Sequence, residues 1–196
     1  MIAQLTGKFL HKSPTKLIVD VQGVGYEVQI SLNTFAAIQH ADAGTLITHL
    51  KVAEDAFTIF GFSEPAEKDI FLKLLSVSGV GAATARMMLS SMRPIEVAQA
   101  ISTGQVRILE GVKGIGKKTA ERIVLELKDK MGSVQMAHQP TDIIAANNTP
   151  DRDALDALVA LGIARNMAEQ AIKKALVQSA GSTSVEELIK LALKAI

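Results

Sequence analysis

A chain of 196 residues with 48% hydrophobic content can hold one large domain or two to three small ones around a sizeable core. It has no Cys, which excludes disulfides and thiolate metal sites. It also has no 18-residue apolar run and no charged-then-apolar start, so neither a membrane span nor a signal peptide is expected, and the cytoplasm is the expected location. Net charge is only +1, so any nucleic-acid surface must be local: residues 63–133 carry +3, residues 1–62 carry −1, residues 134–150 carry −1 and residues 151–196 are neutral.

Residues 1–62 predict short strands at Ile2–Leu10, Lys16–Val21, Tyr26–Ile30, Leu46–Val52 and Phe57–Phe62. They are rich in β-branched and aromatic residues and are separated by Gly, Pro, Asn and Asp. Gly23-Val24-Gly25 predicts a tight corner or a bulge, and Ser31–His40 a short helix. Five strands with a helix before the fourth predict a small closed barrel of OB type over residues 1–63. Glu54-Asp55 falls between the last two strands. Two adjacent acids there are either plain turn chemistry or a negative tip that repels phosphates. Sequence pattern does not choose between the two.

Residues 64–133 predict helices. Pro65 suits a first helical turn, and Ile70, Phe71, Leu74 and Leu75 form an apolar stripe read as core. Pro94 restarts a helix through Ile101, and a last helix is predicted over Lys117–Met131. Two glycine-framed turns stand before helix-forming runs: Ser78-Gly79-Val80-Gly81 and Lys113-Gly114-Ile115-Gly116. A shift of 35 residues lays Val77 on Val112, Gly79 on Gly114, Gly81 on Gly116, Thr84 on Thr119 and Ala85 on Ala120. This is an internal repeat of helix, hairpin and helix. Glycine lets a backbone approach another molecule closely, and the free N–H groups of the following helix start form an anion site. Lys113, Lys117, Lys118 and Arg122 surround the second turn, with Glu121 the one opposing charge. The first turn has Ala82 and Ala83 where the second has Lys117 and Lys118, so it is expected to bind through backbone amides and Arg86. Two copies suit two phosphate runs, gripped without reading a base. Gly111–Lys118 nearly matches a nucleotide-binding P-loop, but Lys118 stands in place of the Mg²⁺-binding hydroxyl and no strand pattern precedes it.

Residues 134–150 have no helical period and almost no charge, and predict a flexible linker. Residues 151–196 predict three short helices near Arg152–Leu161, Arg165–Gln178 and Ser184–Ala195. Asp151 is a candidate cap for the first, and Ser184 with Glu187 matches a capping box. Leu161-Gly162-Ile163 is similar to the hydrophobic loop of ubiquitin-associated three-helix domains. Leu158, Leu161 and Ile163 are either core or a protein-docking patch. The four His residues show no metal spacing, and no catalytic constellation stands out. One Tyr and no Trp argue against an aromatic base-stacking platform. The residues alone therefore predict a backbone binder of double-stranded DNA with a tethered docking module.

Met1 to Gly7, Gly23 to Val28, Glu54 to Ala56, Gly61-Phe62, the two hairpin motifs and Leu158 to Gly162 together resemble the bacterial RuvA family, in order along the whole chain. The resemblance implies an α+β multidomain protein: an OB barrel, a tandem helix–hairpin–helix domain and a three-helix domain that docks the RuvB ATPase. It implies binding to four-way (Holliday) DNA junctions during recombination and repair, as a homotetramer or octamer, with the RuvC resolvase a further partner. Gly79, Gly81, Gly114 and Gly116 would meet phosphates through their backbone. Lys117, Lys118, Thr119 and Arg122 would contribute side chains, Glu54 and Asp55 an acidic pin, and Leu158, Leu161 and Ile163 the motor contacts. No cofactor, metal or intrinsic catalytic site is implied. A scaffold or subunit of a structure-specific repair nuclease, built on the same hairpins, is the competing reading. Lys113, where many members have proline, and the missing Pro-Lys after Gly81 are departures from the family pattern.

Overall fold

The computed structural model describes residues 1–131, 150–178 and 184–194. Two compact units divide between Gln139 and Pro140. The first contains strands β1 (Gln4–Lys12), β2 (Lys16–Val21), β3 (Val24–Ile30), β4 (Ala43–Val52) and β5 (Phe57–Phe62), with helix α1 (Leu32–Ile38) before β4. The strands close in the order β1-β2-β3-β5-β4, with β3 and β5 parallel and β4 returning antiparallel to β1. This is the expected five-stranded barrel. Alternation along the strands buries Leu5, Leu17, Val19, Val28, Ile30, Leu46 and Ile59 inside it. The β2–β3 corner turns on Gln22 (φ 53°) and Gly23 (φ 91°), so Val24 and Gly25 already belong to the strand. The bulge falls instead in β1, between Phe9 and His11.

Helices α2 (Pro65–Leu75), α3 (Ala82–Ser91), α4 (Pro94–Ser102), α5 (Val106–Glu110) and α6 (Lys117–Leu127) follow. The expected last helix is α-helical only to Leu127 and finishes as a 3₁₀ turn over Lys128–Lys130, which still buries Met131. The helices share a core of Ile70, Phe71, Leu74, Met88, Leu89, Ile101, Leu109, Ile123 and Leu127. Phe60 and Phe62 of β5 belong to this core rather than to the barrel interior, with ring centroids 5.1 and 5.0 Å from that of Phe71. Barrel and helices are thus one packed body.

The second unit holds α7 (Pro150–Ala160), α8 (Arg165–Gln178) and α9 (Val185–Lys194). The expected linker lies outside the described residues except Pro150, which begins α7. Asp151 therefore lies within the first helix rather than capping it. Ser184 does cap α9, its Oγ accepting from the Glu187 N–H at 3.3 Å. Small residues make the core: Ala154, Ala168, Ala171, Ala175 and Ala192 surround Leu158, Ile172 and Leu188.

Candidate nucleic-acid interface

The two hairpins have the same backbone. In the first, the Val80 N–H donates to the Val77 carbonyl at 3.1 Å across Ser78 and Gly79; in the second, the Ile115 N–H donates to Val112 at 3.0 Å across Lys113 and Gly114. Gly79 and Gly114 have φ of 89° and 91°, which a third turn residue of type II needs and an L side chain resists. Val80 and Ile115 point inward and are buried, which anchors each turn in the helical core. Gly81 and Gly116 then cap α3 and α6 with φ −87° and ψ 168° and 167°.

Those last two glycines are informative. Their φ is ordinary, and a Cβ added at either would find no atom within 4 Å. Neither conformation nor packing inside the chain requires glycine there. What its absence of side chain provides is access for an external molecule. No side chain caps α3 or α6, and neither first turn holds an acid, whereas α2 and α4 carry Glu67 and Glu96 there. The first-turn N–H groups of α3 and α6 have no intrahelical acceptor, and the helix dipole faces outward uncompensated. Each hairpin thus has the form of an open anion cradle.

Lys113, Lys117 and Lys118 are exposed beside the second cradle, with Thr119 half-buried. In the first cradle Ala82 is buried in the helical core, so packing explains why a lysine does not stand there, while Ala83 faces solvent. Arg122 joins the two: its Nη1 donates to the Ser78 carbonyl at 3.2 Å, within the first turn. The cradles therefore lie side by side. Arg86, expected to reach a phosphate, donates through Nη1 to the Thr15 carbonyl at 3.1 Å and to Gln29 Oε1 at 2.6 Å. It ties the first cradle's helix to the β1–β2 turn and β3.

Further polar contacts fix the barrel to the helices, and the pattern of the sequence did not single them out. Asn33 Nδ2 donates to the Leu89 and Met92 carbonyls at 2.6 and 2.9 Å, and the Leu32 N–H donates to Ser90 Oγ at 3.1 Å. Glu67 of α2 is 1% exposed and accepts from Ser31 Oγ and from Thr34 Oγ1, the latter at 2.6 Å. Burial pushes its carboxyl above the ordinary 4.5; the two hydroxyls and the Ser63 N–H pull it down, and Glu64 adds to the rise. The only sequence signal for it was an acid in a first helical turn.

Glu54 and Asp55 occupy the tip of the β4–β5 hairpin, where the Ala53 N–H donates to the Ala56 carbonyl at 3.0 Å. Both are exposed and belong to the same body as the cradles. Among the described residues no three His, Asp or Glu side chains gather as a metal site, and no helix is long and apolar enough to cross a membrane.

In the second unit, α7 ends at Gly162 (φ 90°), with the Ile163 N–H donating to the Leu158 carbonyl at 3.1 Å. This is a Schellman ending, whose first and last residues pair as apolar neighbours. Leu158 is fully buried and Ile163 packs against its cluster, so Leu158 is corrected from a docking residue to a core residue. Leu161 is 65% exposed, and Val159 and Met167 are also exposed.

An OB-type barrel fused to paired glycine hairpins, each with an open helix start, defines a helix–hairpin–helix DNA-binding protein. Comparisons with known proteins narrow this. Residues 1–61 match the family described as RuvA N terminal domain, residues 71–129 the SAM-like helix-hairpin-helix tandem, and residues 151–196 the RuvA C-terminal domain. The chain is 44% identical over 194 residues to the Holliday junction branch migration complex subunit RuvA of Christiangramia forsetii, covering 99% of each. It is 43% identical to that of Cytophaga hutchinsonii, covering 99% of each, and 45% identical to that of Amoebophilus asiaticus, covering 99% of this chain and 100% of the relative. The chain belongs to the RuvA family.

Proposed function

We propose that this chain binds four-way DNA junctions by shape, without reading sequence, and recruits the RuvB ATPase for branch migration in recombination and repair. The carrying observation is the pair of open cradles bridged by Arg122 in one body with an acidic hairpin tip. Gly79, Gly81, Gly114 and Gly116 present backbone N–H groups to two phosphate runs, and Lys117, Lys118, Thr119 and Arg122 add side-chain contacts. Arg86 supports the first cradle from behind. Glu54 and Asp55 repel phosphates at the crossover and hold the strands apart. Several copies, as a tetramer or octamer, would surround the junction in the cytoplasm. Residues 64–133 would be the DNA-gripping part and residues 1–63 the part carrying the acidic tip. The segment 134–150 would tether residues 151–196 to them, and that module would dock RuvB through the Leu161 loop, with ATP hydrolysis left to the motor. The relatives' names support the assignment to a branch migration complex.

The test is a gel-shift titration on a synthetic four-way junction against linear duplex of the same sequence at two salt concentrations. The junction should bind more tightly, and salt should weaken it. Replacing Lys117 and Lys118 together with Gln should flatten the log–log salt slope by about 0.9 for each phosphate that is no longer neutralised. Equal affinity for both DNAs would refute junction selectivity.

A further inference from the structure

The β4–β5 hairpin outreaches the barrel it belongs to. Leu50 pairs with Ile59, and these side chains face the barrel interior. Two residues further along each strand, Val52 pairs with Phe57. Strand alternation puts this pair on the same face as Leu50 and Ile59, but past the mouth of the barrel, where the rest of the unit does not cover it. Val52 is 64% exposed and Phe57 76% exposed. An aromatic ring on a projecting hairpin, one residue from the Glu54-Asp55-Ala56 tip, lacks an occupant within this unit.

We propose that Phe57, backed by Val52, is a stacking site for a nucleobase unpaired at the centre of a four-way junction. This rests on the junction-binding reading above, and it asks for one exposed ring at one crossover, not the strand-long aromatic platform that the composition argues against. Charge favours that occupant: the exposed acids Glu54 and Asp55 at the hairpin tip disfavour phosphate close by, whereas an uncharged, planar base can reach the ring with its own phosphates held further out. A base leaving its pair at a strand exchange loses a stacking neighbour, and an aromatic face supplies one without regard to sequence. The acidic tip parts the strands, and the ring beside it receives a base they release. Exposed Phe57 carries no core packing, so its replacement leaves the fold intact.

The experiment uses the full chain and a junction carrying 2-aminopurine at a crossover position, with linear duplex as control. Junction affinity and 2-aminopurine emission are read for the wild type, Phe57→Ala, Phe57→Tyr and Phe57→Leu, with sedimentation of each protein alone. Phe57→Ala should weaken junction binding about tenfold, leave duplex binding unchanged, and raise 2-aminopurine emission relative to the wild type. Phe57→Tyr should restore both values and Phe57→Leu should not. Wild-type junction preference that persists unchanged in Phe57→Ala, with unchanged emission, overturns the stacking site and leaves junction binding standing. Rescue by Leu, with a changed sedimentation coefficient for Ala, assigns the face to contacts between copies and also overturns it. A wild type that does not prefer the junction removes both readings.

Discussion

Gly114 and Gly116 are two residues apart and are glycine for different reasons. Gly114 needs its φ of 91°, whereas Gly116 has an ordinary φ and open space around it. Gly114→Ala should therefore cost about 1–3 kcal/mol of stability along with DNA affinity. Gly116→Ala should lower the melting temperature by about 4 °C at most, since an exposed cap change of this kind is worth a few tenths of a kcal/mol to about 1 kcal/mol. Its new methyl would stand at the proposed phosphate contact, so duplex affinity should fall about tenfold, from one displaced charge-assisted hydrogen bond. Thermal melts and gel shifts on the two variants separate these effects. The repeat in the sequence marked both glycines as equals, because a one-letter pattern carries no φ. Arg86 escaped for a related reason. Its partner Thr15 lies 71 residues away, and only the closed barrel brings the two together.

Between elements, the buried contact of Glu67 with the start of α1 makes the joint between barrel and helices sensitive to protons. Its pKa is raised in the fold, so the folded chain holds this proton more tightly than the unfolded one. Stability from this group is complete below about 4.5 and declines as pH rises from there through the folded pKa. Glu67→Gln keeps the volume and removes the titration. The variant's melting temperature should gain on the wild type as pH rises above 4.5, and a gap independent of pH would disprove the coupling. The hydrophobic spacing made α2 and its stripe readable, and the turn residues did the same for the barrel strands. Glu67 was not readable as an interface residue, since a first-turn acid is also what a solvated helix start prefers. Likewise α5 was not set apart from its neighbours, because five residues are too few to show a helical period.

For the whole molecule, the C-terminal unit is held by a thin, alanine-rich core, and its apolar residues divide between holding the fold and facing outward. Leu158→Ala should cost about 2–5 kcal/mol, enough to unfold so small a unit. Leu161→Asp should leave circular dichroism and junction binding as in the wild type while abolishing RuvB-driven branch migration. Loss of junction binding in Leu161→Asp would argue against a separate docking role. Both residues sit in one motif, L-V-A-L-G, and spacing could not tell them apart; the Schellman ending does, by turning one inward and leaving the other outside.

The Arg122–Ser78 bridge has a consequence at the largest scale. It joins two hairpins that are set in a common core, which fixes the interval between them in this fold. Under the proposed function, the pair would act as a gauge of groove width. A B-form duplex presents its two phosphate runs across a narrow minor groove, while an A-form helix spreads them across a wide and shallow one. A junction built with RNA strands would then engage one cradle at a time and forfeit the bivalent gain. The chain would distinguish DNA from RNA without touching a 2′-hydroxyl, by the calibre of the helix alone.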